Sequence, residues 1–279
     1  MKIIQPESFY PEGPVFKDGR LYYVEYARHR VMCWDGHTHR PISIWERPGC
    51  GPASVIPAPD GSLLVACYDQ HCLARISTSG ETLEIHAGDA QTDCFRFPND
   101  FSEDGQGGIY FTASGEFRRE APVEGSVFYL SPVGRVWRVA SGIHFANGLA
   151  FDPAHGRLLV AEHFQNRLLS YEVLGRGWLA REASVFADLG ALAPLGDDAE
   201  GYLGPDGIEL DPLSGTLYVA QYGGGRVLSL RADGALEQEI PVPARFVTNV
   251  FPHQGRLYIT AFHDAKQAPY VGGVYCWGD

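Results

Sequence analysis

At 279 residues the chain can form one large all-β domain or two smaller ones, and a hydrophobic share of 45% with a mean hydropathy of -0.14 supplies apolar material for a large core. A formal charge of -12 argues against a nucleic-acid partner, whose phosphates want Lys and Arg. No apolar run approaches the roughly eighteen residues of a membrane span, so no membrane partner is expected.

The first residues, MKIIQPESFYPEG, lack the apolar core of a signal peptide. Cys33, Cys50, Cys67, Cys72, Cys94 and Cys276 show neither CxxC nor zinc-finger spacing. Reduced thiols in a cytoplasmic protein are therefore expected, with Cys67 and Cys72 pairing only in an exported one.

Along the chain a tag recurs: Gly, one residue, Leu or Ile, a bulky residue, Val, Phe or Ile, then a small residue. It is loose at Gly19 and clear at Gly61, Gly107, Gly156, Gly215 and Gly255; the six glycines are separated by 42, 46, 49, 59 and 40 residues. That is the period of a four-stranded propeller blade, roughly 40–50 residues, with one insertion before the fifth copy. Residues 144–173 show a whole unit, with short runs of Leu, Val, Phe and Tyr bounded by Asp, Pro, Gly and Asn. The spacing predicts an all-β, six-bladed β-propeller spanning 1–279 as a single domain. The last copy stops one strand short, and the first eight residues can supply that strand and close the ring. A pair of β-sandwiches does not explain sixfold spacing.

In such a ring the heads of the innermost strands line one mouth of the axial channel. They read Glu12, Ser54, Asn99, Asn147, Asp206 and Thr248-Asn249. The ends of the second strands add Glu25-Tyr26, Tyr68-Asp69, Ser114, His163, Tyr222 and His263. Two carboxylates, Glu12 and Asp206, cannot share a low-dielectric channel without a counter-charge, and no Lys or Arg stands at a head. One divalent cation resolves this. An all-oxygen set favours Ca²⁺, Mg²⁺ or Mn²⁺, with Ca²⁺ first; Zn²⁺ and Fe²⁺ stay open, because carboxylates bind them too. Asp152 and Asp211, each followed by proline, read as turn formers, and PDG or NG alone would read the same way. Glu12, Asn99, Asn147 and Asp206 differ in being equivalent positions of one set.

The motifs EGPVF at Glu12, PND at Asn99, NGLAFD at Asn147 and PDGIELD at Asp206 resemble, in that order, the gluconolactonase family. This family includes senescence marker protein (regucalcin) and the luciferin-regenerating proteins. The resemblance covers essentially the whole chain. It implies a lactone hydrolase with a small-molecule substrate and one catalytic divalent cation. Glu12, Asn147 and Asp206 would then be direct ligands, and Asn99 would touch the metal, its water or the substrate. Asp206 would also be the general base. Sugar lactonases of the family often read Arg-x-Asn-Asp, whereas this chain has Phe97 at that place and Arg96 one residue early, turned to the other side. A less polar substrate face follows. Tyr68, His163, Tyr222 and His263 are expected to position substrate, and residues 190–204 to form a lid. Alternatives are a metal-dependent arylesterase or organophosphate hydrolase, and a non-catalytic ligand-binding propeller with a structural metal. No Gly-x-Ser-x-Gly elbow is present.

Overall fold

The computed structural model describes residues 1–38, 40–88, 95–195 and 202–278, and the expected repeat appears as six antiparallel sheets. Blade one is built from Pro11–Lys17, Arg20–Glu25, Arg30–Trp34 and Ile42–Glu46. The inner strands of the following blades are Pro52–Pro57, Pro98–Glu103, Ala146–Asp152, Gly204–Leu210 and Phe246–His253.

The glycine-led tag is the turn into, and the length of, each second strand. Those strands are packed on both faces, which is why the tag reads as a continuous apolar run and not as an alternating one. Leu63 and Val65 meet blade one, whereas Leu64 and Ala66 meet blade three. Leu158 and Val160 likewise face blade three, and Leu159 and Ala161 face blade five. Six apolar clusters of this kind occupy the six gaps between neighbouring blades, the last joining Leu21 and Tyr23 to Tyr258 and Val274. Burial thus ties each blade to its neighbours, and the ring has to close to complete the last gap.

Closure is made by the N-terminal strand Lys2–Phe9, which pairs antiparallel with Val271–Trp277 of blade six. Ser8 on that strand donates from Oγ to Oε1 of buried Glu25 at 2.6 Å, and Arg30 pairs with the other oxygen of Glu25 at 2.6 Å. The insertion before the fifth copy has two parts. A hairpin, with Trp178–Leu179 paired to Arg167–Gly175, leans on blade three, where Trp137 Nε1 donates to Gly177 O at 2.9 Å. The second part leads into blade five and begins with the short helix Leu189–Leu192. Of the expected lid, 190–204, residues 196–201 lie outside the described residues.

Every inner strand carries a bulge at or beside its head, so that two residues oppose one and the extra residue is re-aimed. The outcome is two layers on the axis. Glu12, Asn99, Asn147 and Asp206 line a cavity on one side together with Ala53. The residues that follow the heads line the opposite mouth, where Ser54 Oγ donates to Asp100 Oδ1 at 2.8 Å and Asn249 Nδ2 to Asp100 Oδ2 at 3.2 Å. Gly207 has to be glycine here, because a Cβ would fall 2.2 Å from Asn249 Cγ.

Replacing Ser8 with Ala should lower unfolding free energy by about 1–3 kcal/mol, because a buried carboxylate oxygen loses its donor. Chemical denaturation reads this directly; an unchanged midpoint would show that the seam does not depend on that bond.

Candidate functional site

Four side chains from four blades meet in one cavity of about 560 Å³: Glu12, Asn99, Asn147 and Asp206. Asn147 and Asp206 are buried, whereas Glu12 and Asn99 are half-buried. The Asn147 amide stands beside the Asp206 carboxylate and favours its charged form. Burial pushes the Glu12 carboxyl well above its ordinary range, and repulsion from Asp206 and then Asp100 pushes it further. Asp206 is raised in the same sense, by burial and then by Asp100, with the Asn147 amide opposing. Asp100, one layer down, is pushed up to about 6 by burial against bonds from Ser54, Phe101 N and Asn249. The axis therefore holds acid groups that repel one another. Among the described residues, no three His, Cys, Asp or Glu side chains group as a metal cluster. The set that converges is two carboxylates with two amides, a donor chemistry that fits a hard divalent cation.

Two expected head positions are placed differently. In blade two the bulge puts Ala53 in the cavity and turns Ser54 to the layer beneath. In blade six Thr248 is buried, its Oγ1 donating to Pro11 O at 2.6 Å, and Asn249 lies beside Asp100. Thr248 is a brace between the last blade and the first. Asp152 and Asp211 are turn residues as expected, Asp152 accepting from Arg157 at 2.9 Å and Asp211 from Ser214 at 2.8 Å.

Above the carboxylates stands a collar of rings built by the repeat. Two residues before each head, a carbonyl accepts the N–H of the residue at or just past the end of the second strand. The pairs are Tyr10 with Tyr26 (3.0 Å), Gly51 with Tyr68 (3.0 Å), Phe97 with Ser114 (2.9 Å) and Phe145 with His163 (3.1 Å). Gly204 with Tyr222 and Phe246 with Phe262 are the matching partners in blades five and six. Tyr10, Phe97 and Phe145 take left-handed φ angles of 52°, 60° and 64°, strained for side chains of this size. The Tyr10 and Tyr222 phenols stand near Glu12 and Asp206, and burial raises both.

Of the residues expected to meet substrate, Tyr68 and Tyr222 line the cavity. Phe97 is half-buried behind Tyr68, with ring centroids 4.9 Å apart, and Arg96 turns away to Glu124 at 3.1 Å. His263 is exposed, and Phe262 takes the inward place. The reason is register: the residue paired to the carbonyl two before the head lies seven residues after each blade's glycine, and Gly255 leads to 262. His163 is fully buried behind the collar and does not line the cavity. Sequence reasoning missed Tyr10, which the "two before the head" rule would have found, and Phe117. The latter sits on the loop after Ile109–Ala113, which has no periodicity to read, yet it packs against Phe145, Tyr202 and Tyr222 at 4.9, 5.4 and 5.7 Å.

Residues 10–263 match the family model described as SMP-30/Gluconolactonase/LRE-like region. A lactonase drp35 from Staphylococcus haemolyticus is 31% identical over 251 residues, covering 87% of this chain and 72% of the relative. Among solved structures, a gluconolactonase from Xanthomonas campestris superposes with a TM-score of 0.78 at 21% identity, covering 99% of this chain and 89% of that one. A calcium-binding protein, regucalcin, from Agrobacterium tumefaciens does so with a TM-score of 0.79 at 20% identity, covering 99% and 92%. At these identities the two structures speak for the fold.

The raised carboxyls carry a sign. A carboxyl held higher in the folded than in the unfolded chain favours folding while protonated, and that contribution fades as pH rises from the unfolded value of about 4. Asp100, at about 6, and the higher Glu12 and Asp206 all act in this direction. In a chelator the melting temperature should therefore fall between about pH 5 and 8, and excess divalent ion should remove the slope. A melting temperature that is flat over this range in chelator would contradict these shifts.

Proposed function

The chain belongs to the SMP-30/Gluconolactonase/LRE-like family, and we propose that it is a lactone hydrolase in which Asp206 acts as base beside one divalent cation. The observation that carries the reading is the convergence of Glu12 and Asp206 with Asn99 and Asn147 in one cavity. Two buried acids with raised proton affinity are a poor resting arrangement alone and a good one around a positive ion. Glu12, Asn147 and Asp206 would hold the ion, with Asn99 on it, its water or the substrate. Oxygen donors favour Ca²⁺, and the name of the calcium-binding neighbour agrees with that choice. When bound, the ion supplies Lewis acidity toward a lactone carbonyl.

The chain's own groups do the remaining work. An Asp206 carboxylate oxygen accepts a proton from the attacking water as the water oxygen bonds to the carbonyl carbon. The ring C–O bond then breaks, and that proton goes to the departing alkoxide, so lactone and water give a hydroxy acid. Tyr68 and Tyr222 bound the substrate, and the other rings of the collar exclude water from it. The whole of 1–279 works as one unit, because the seam that closes the ring also sets the axis. The five described cysteines are buried and unpaired, which supports a reducing compartment, the cytoplasm.

The aromatic lining favours a lactone with a flat, apolar face over a polyhydroxylated one. It also gives substance to a second reading, hydrolysis of aryl esters at the same centre. Asp206→Asn should lower kcat by about 10²–10⁴-fold with the fold kept; undiminished turnover would remove Asp206 as base. Chelation should abolish activity and a divalent ion restore it, whereas full activity in chelator with no bound metal would exclude the ion from the reaction. Phe97→Arg should shift kcat/KM toward aldonolactones, and an unmoved substrate profile would show that this position does not set preference.

A further inference from the structure

His163 follows directly on the second strand of blade four, Arg157–Glu162, and its side chain is wholly buried. Both ring nitrogens face main-chain carbonyls: Nδ1 lies 3.1 Å from Pro205 O, and Nε2 lies 3.1 Å from Tyr202 O. A carbonyl oxygen only accepts. A neutral imidazole has one N–H and one bare lone pair, so it serves one carbonyl and sets lone pair against lone pair at the other. A ring protonated on both nitrogens satisfies both. The rings of Phe164, Phe117, Phe145 and Tyr222 enclose it, each steeply inclined to the imidazole plane, with centroids 5.1, 5.2, 5.7 and 5.7 Å away.

The two carbonyls are not arbitrary. Tyr202 and Pro205 frame the entry to the inner strand Gly204–Leu210, and the residue after Pro205 is Asp206. The approach is close enough that a Cβ on Gly204 would fall 2.3 Å from His163 O. We propose that His163 is a buried imidazolium, a positioning residue that clamps Tyr202 and Pro205 and thereby fixes the Asp206 carboxylate and lends the acid pair a positive charge. The positioning half rests on Asp206 being the base; the charge state does not.

Among the described residues, the other titratable groups on the elements around it are Tyr202, Asp206 and Tyr222 in blade five and Glu116, Arg118, Arg119 and Glu120 on the Phe117 loop. His144, Glu162 and Arg167 flank it in blade four. Glu162 is already engaged, by Arg167 at 2.6 Å and by His144 N at 2.8 Å.

Neutron diffraction from deuterated crystals of the wild-type chain at about pH 8, above the ordinary histidine value of about 6.5, tests the charge state. Deuterium on both ring nitrogens of His163 is expected, and one bare nitrogen would overturn the assignment. His163→Gln, compared with Asp206→Asn, tests the positioning role. The Gln variant should lose about 10–100-fold in kcat with KM little changed. An unchanged kcat in that variant, with Asp206→Asn inactive, would end the positioning role and leave the hydrolase reading intact. A fully active Asp206→Asn would instead end the base assignment, while the neutron result would still decide the charge. Should the Gln variant fail to fold, the wild-type neutron map remains decisive.

Discussion

The structure turns on the confinement of like charges. Six gaps between blades fill with apolar side chains only when the ring closes, and closure drives the inner-strand heads onto one axis. Two of those heads are acids, and a third acid, Asp100, lies one layer below. Water cannot screen them well there, so each holds its proton more tightly than it would in solvent. The fold's own apolar energy is what imposes this arrangement, and the proposed cation would offset its cost.

The bulge is the local device that makes this possible. A regular strand would send the head and the next residue to opposite faces, but the bulge lets both contribute to the channel. The head residues then build the candidate site, and their successors build the layer of Ser54, Asp100 and Asn249. Glycine at 207 leaves the room that Asn249 occupies. The same repeat raises a collar above the acids, which costs left-handed backbone at Tyr10, Phe97 and Phe145. Strain at three equivalent positions, all bearing rings, belongs to the cavity and not to any single turn.

Much of this was legible in the residues, for reasons that can be stated. Second strands buried on both faces leave an apolar tag after a turn glycine, so blade number and order could be read. The closing strand could be read because the last copy lacks one. The heads were readable as a set because polar residues recur six to nine residues before each blade's glycine, and Glu12, Asn99, Asn147 and Asp206 among them carry carboxylate or amide oxygens. Ser54 was read as a head because nothing in the sequence marks which side of a bulge a residue takes, and Ala53 has no polar atom to draw notice. His263 reads as a strand end through its polar ring, whereas the constant interval of seven residues from the tag glycine leads to Phe262. Phe117 and the burial of His163 depend on a loop crossing between blades, and loops carry no period.

A crystal soaked in Mn²⁺ after chelation, with anomalous scattering recorded at the manganese edge, tests the central claim most directly. One strong peak is expected on the axis within bonding reach of Glu12 and Asp206 carboxylate oxygens, about 2.0–2.6 Å. The peak should vanish in the Glu12→Gln, Asp206→Asn double variant. No peak there in the wild-type chain, or a single peak elsewhere, would contradict that claim.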